Sequence, residues 1–87
     1  MTKTEEFINT LHVIAAANGH TATVDEVFER FLRELQESLG PDHSRIRKCV
    51  EDLQNALAAE AVPPRTGLFA DLRDHARGLV ADWLQNS

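Results

Sequence analysis

Apolar residues recur at helical spacing through almost the whole chain, and no segment alternates as a strand would. The clearest stripe is Val24, Val27, Phe28, Phe31, Leu32, Leu35 and Leu39, which opens at Thr23-Val-Asp-Glu26 and runs into Gly40-Pro41. Start signal, period and stop signal agree there, which predicts a helix over 24–39. Upstream, Phe7, Ile8, Leu11, Ile14 and Ala15 fall on one face of a helix over 3–17. Thr2 and Glu5 have the spacing of a capping box, and Asn18-Gly19 tolerates the left-handed backbone that ends a helix. Ile46, Cys49, Val50, Leu53, Ala56, Leu57 and Ala61 make a third stripe over 43–61, with Asp42 or Ser44 as the cap. Val62-Pro63-Pro64 then forces extended backbone. The fourth helix, 67–85, begins after Thr66 and carries Leu68, Phe69, Leu72, Ala76, Leu79, Val80, Trp83 and Leu84.

Four helices joined by short connections predict an all-α fold, a small antiparallel helical bundle in one domain over 1–87. The shortest joint lies between the second and third helices, which are expected to form a hairpin. The fourth either closes the bundle or packs across it.

Two stretches carry more apolar surface than a simple surface helix needs. One is the broad arc of the fourth helix; the other is the off-face trio Val13, Ala16 and Ala17. A chain of 87 residues buries only roughly 60–65% of its unfolded surface, so a second copy or a partner would cover the remainder to advantage. The candidate partner-binding residues are Phe69, Arg73, Arg77, Val80, Trp83, Leu84 and Val13, since aromatic and arginine side chains dominate interface energetics. Homodimerisation through either face is a further expectation. Gly78 lies on the far side of the fourth helix, where it weakens the helix.

Charge sharpens this reading. Fourteen acids against nine bases give a formal net charge of −5. The imbalance sits early: residues 1–40 hold seven acids and three bases, whereas 63–87 hold three of each. A basic partner surface would meet the first half, and a phosphate backbone would be repelled by the mean field. On the polar side of the second helix, Glu26–Arg30, Glu29–Arg33, Arg30–Glu34 and Arg33–Glu37 stand four apart, as helix-stabilising pairs do. The lone Cys49 permits no internal disulfide and fits a reducing interior. No basic leader precedes an apolar run and no window reaches the ~20 apolar residues of a membrane span, so a cytoplasmic location is expected.

Catalytic and metal chemistry find little support. His12, His20, His43 and His75 are widely spaced, and only Asp71 and His75 share a face, as a surface ion pair would. Ser38 and Ser44 have no base, Cys49 sits on a core stripe, and there is no glycine-rich phosphate cradle. These features predict neither an enzyme, a cofactor nor a metal centre.

Glu37-Ser38-Leu39 is the nearest text to the Asp-Ser-Leu motif of acyl carrier proteins, but it closes a helix where the carrier serine opens one. Colicin nuclease immunity proteins are acidic helical domains of this length with a tyrosine-rich recognition segment; this chain has no tyrosine. His12 to Glu37 followed by Asp42 to Lys48 loosely resembles the three opening helices of a helix-turn-helix fold. That resemblance implies Arg45, Arg47 and Lys48 at the start of a recognition helix, where they would reach phosphates or base edges. The leading expectation is a protein-binding regulator of the anti-activator or inhibitor type; the alternative is a DNA-binding transcriptional regulator.

Overall fold

A computed structural model describes residues 2–60 and 67–86. It contains four helices: α1 (Lys3–Ala16), α2 (Thr21–Leu39), α3 (His43–Ala59) and α4 (Gly67–Asn86). No strand occurs among the described residues.

The helix ends follow from local chemistry. Thr2 caps α1 by accepting a hydrogen bond from the Glu5 amide at 3.1 Å, and Asp42 caps α3 by accepting from the Arg45 amide at 3.2 Å. At the end of α1, the Gly19 amide donates to the Ile14 carbonyl (2.8 Å) and the Asn18 amide to the Ala15 carbonyl (3.2 Å). That pair of bonds is the Schellman closure, and Asn18 supplies its left-handed residue at φ 55°. Gly40, at φ 62°, ends α2.

Two boundaries differ from expectation by more than one residue. α2 begins at Thr21 rather than near Val24, because His20 takes the capping position with extended backbone and no side-chain bond. α3 stops at Ala59, and the Glu60 amide donates to the Leu57 carbonyl. The expected cap Thr66, the end of the third stripe at Ala61 and the Val62-Pro63-Pro64 link lie outside the described residues.

Cross-helix contacts give the topology. Lys3, at the start of α1, reaches Glu34 in the second half of α2, and Phe7 meets Phe31 edge-on at 5.6 Å. Arg47 reaches the Leu84 carbonyl, while at the other end Arg73 reaches the Glu60 carbonyl, so α3 and α4 run antiparallel. His12, late in α1, stacks on Phe69, early in α4. The chain thus runs up, down, up and down as a bundle of 41 × 24 × 20 Å.

Every helix touches the other three, and α4 packs more extensively on α2 and on α3 than those two pack on each other. The expected α2–α3 hairpin is therefore not the tightest pairing. α4 closes the bundle, and Phe69, Leu72, Ala76 and Val80 form its buried row. They join Phe7, Leu11 and Ile14 of α1, Val24, Phe28, Phe31 and Leu35 of α2, and Ile46, Val50, Leu53 and Leu57 of α3. No buried side-chain nitrogen or oxygen among the described residues lacks a partner.

Candidate functional site

The apolar arc of α4 is used inside the protein. Phe69 and Val80, expected at a docking surface, are 3% and 0% exposed and cannot contact a partner. Trp83 and Leu84 are half-buried and pack against the core. Arg73 is also tied inward, donating to the Glu60 carbonyl at 3.0 Å and to Asp74 at 3.1 Å. The physical reason is the extent of its packing: α4 makes the two most extensive helix–helix contacts, on α3 and on α2, and needs a wide apolar arc simply to close the core. Of the candidate residues, only Arg77 and Val13 are exposed, and Val13 is the one large apolar side chain standing open among the described residues.

The basic trio at the start of α3 is divided. Arg45 is open to solvent and paired with Asp42 at 3.3 Å. Arg47 is held by Glu51 at 3.2 Å and by the Leu84 carbonyl at 3.2 Å, so it fastens α3 to the end of α4. Lys48 is exposed.

Two side chains expected to pair along their own helix instead find partners on a neighbouring one. None of the four expected pairs of α2 is among those formed by the described residues; Glu34 is taken instead by Lys3 at 2.8 Å. The Lys3 hydrogen bond, then its charge, lowers the Glu34 pKa below the usual carboxylate value. The same bond to Glu34, reinforced by its charge, raises the Lys3 pKa. Likewise His75 does not pair with Asp71. Its Nε2 lies 2.6 Å from Asp25 Oδ1 on α2.

That last contact assembles a surface not legible in either helix alone. Asp71 stands one turn before His75 and Asp82 two turns after it, while Glu29 stands one turn after Asp25. All four carboxylates are exposed. The His75–Asp25 bond sets the two rows side by side, giving an acidic face along α2 and α4 with Arg33 at its edge. The signal in the sequence was the early excess of acids; the contribution of α4 required the packing.

The remaining hollows are shallow. A cleft of about 270 Å³ between α1 and α2 is spanned by the Lys3–Glu34 pair. A longer groove follows α3 and α4, lined at its centre by Gln54, Asn55 and Ala81. Among the described residues no group of three or more His, Cys, Asp or Glu is placed to hold a metal ion. No helix is long and apolar enough to cross a membrane. Compared with known proteins, the chain matches no family model, no curated protein and no solved structure.

Proposed function

We propose that this chain is a small acidic regulator of the anti-activator or inhibitor type, working in the cytoplasm by docking its α2–α4 face on a basic surface of a partner protein. The observation that carries the reading is the 2.6 Å His75–Asp25 contact; helical spacing from those two residues runs the row of Asp25 and Glu29 alongside the row of Asp71 and Asp82. A face with an excess of one sign steers an oppositely charged partner, and the Arg33 at its edge helps set the orientation. This surface replaces the apolar rim of α4, whose large side chains are spent on the core.

Affinity capture from the native cell tests the reading. A partner with a basic contact surface should be retained by the wild-type chain and lost with Glu29→Lys/Asp71→Lys. Retention of the same partners by the reversed variant would overturn it.

A second reading, DNA binding from the start of α3, draws support from the exposure of Arg45 and Lys48. It requires binding to random duplex DNA that falls steeply with salt and is lost in Arg45→Ala/Lys48→Ala. Arg47 is less suited to that role, because moving it to a phosphate would break its bond to the Leu84 carbonyl.

A further inference from the structure

His75 stands inside the acidic face, not at its border. Along α4 it comes one turn after Asp71 and two turns before Asp82, about 6 Å and about 10 Å away at roughly 1.5 Å per residue. From α2, Asp25 Oδ1 meets its Nε2 at 2.6 Å, and Glu29 follows one turn further along that helix. Solvent reaches the contact, since 34% of the His75 side chain and 50% of the Asp25 side chain are exposed. A proton can come and go there without unpacking the core.

Other charges along α4 are engaged away from this side. At the start of the helix His12 stacks on Phe69, and the Glu60 carbonyl accepts from Arg73. At its far end Arg47 of α3 donates to the Leu84 carbonyl. Arg77 and Asp74 stand 4.0 Å apart on the side turned to Gln54 and Ala58 of α3. Glu26 and Arg30 lie further round α2. Among the described residues, the charged groups on the His75 side are thus Asp25, Glu29, Asp71 and Asp82, with Arg33 at the edge.

Histidine is the side chain whose charge ordinarily changes between about pH 5 and 8, whereas carboxylates ordinarily titrate near about pH 4. Neutral, with its proton on Nε2, His75 donates to Asp25 and leaves the face its full negative charge. Protonated, it keeps that bond and adds a positive charge amid the carboxylates. We infer that His75 is a proton-operated switch on the acidic α2–α4 face, weakening the docking of a basic partner as the medium acidifies. The inference rests on the docking reading above and adds its regulation. By linkage, a docked partner opposes protonation of His75 to the same degree.

Fluorescence anisotropy of a rhodamine-labelled oligolysine peptide, titrated with the chain at about pH 7.5 and about pH 5.5, tests the switch. At about 0.1 M salt the screening length is about 10 Å, so a charge on His75 is felt by lysines docked along the face. The wild-type Kd should rise about threefold to tenfold at the lower pH, as one added charge at that range implies. His75→Gln, whose amide still donates to Asp25, should keep the helical circular-dichroism spectrum and respond less than about twofold; its response measures what His12, His20 and His43 contribute. His75→Lys should bind at the higher pH as weakly as wild type does at the lower. Equal pH responses of wild type and His75→Gln overturn the switch and leave the docking reading standing, as does His75→Lys binding like wild type at the higher pH. A wild-type chain that fails to bind the peptide at the higher pH, or binds it equally well after Glu29→Lys/Asp71→Lys, overturns the docking reading and the switch with it.

Discussion

His75 bonds to Asp25 on the neighbouring α2, not to Asp71 one turn away on its own helix, and so ties the first half of α4 to the start of α2. Both side chains remain partly open to water, which limits the contribution of the pair to about 0.2–1 kcal/mol. Asp25→Asn should lower stability by that amount in urea unfolding. Asp71→Asn should leave it within about 0.5 kcal/mol, as surface changes away from specific contacts do.

The Lys3–Glu34 bond fastens the opposite end of the bundle and gives stability a defined pH response. Glu34 has its folded pKa below the ordinary 4.5, chiefly through the Lys3 hydrogen bond, so its contribution is present above 4.5 and lost as pH falls through the lower folded value. Lys3 has its folded pKa above 10.5, so its contribution is present below 10.5 and lost as pH rises through the higher value. Glu34→Gln should therefore be less stable than wild type near pH 7. The gap should close in strong acid. A gap unchanged at pH 2 to 3 would show that the residue acts through something other than its charge.

Phe7 meets Phe28 and Phe31 edge-on, with ring centroids 6.3 Å and 5.6 Å away, and is itself 2% exposed. Truncation removes that contact and leaves a cavity between α1 and α2, so Phe7→Ala should cost about 3–5 kcal/mol. Against a total of about 5–15 kcal/mol for a domain, the variant should unfold at a much lower urea concentration. Val13→Ser, on the open side of α1, should change stability by no more than about 0.5 kcal/mol.

Helix number and core were readable because the apolar period and the caps agree: Thr2, Asp42 and Gly40 each perform the expected local role. The start of α2 was not, since His20 caps without a side-chain bond and leaves no signature, while Thr23 with Glu26 imitates one. The apolar arc of α4 misled for a different reason. Periodicity measures the width of a stripe but not how much of it neighbours cover, and the extensive packing of α4 on both α3 and α2 turns an apparent surplus into ordinary core. The acidic face was half-visible: Asp25 and Glu29 lie in the acid-rich first half, whereas Asp71 and Asp82 join them only through packing between segments some fifty residues apart, as Asp25 and His75 are.

Gly19 and Gly78 should respond oppositely to the same substitution. A side-chain carbon at Gly19 would stand 2.5 Å from Ile14 Cγ2 and 3.2 Å from the Ile14 carbonyl oxygen. Ile14 is buried and that carbonyl accepts the Gly19 amide bond closing α1, so neither atom can yield without loosening the turn. Gly19→Ala should accordingly destabilise the fold, by about 1–3 kcal/mol if it behaves as an overpacked site. At Gly78 the same carbon enters open space in the middle of α4. Alanine there adds only helix propensity and should raise stability by up to about 1 kcal/mol. Thermal unfolding of the two variants side by side checks both signs; a loss at Gly78 equal to that at Gly19 would mean that the outer face of α4 is constrained by a contact within the chain.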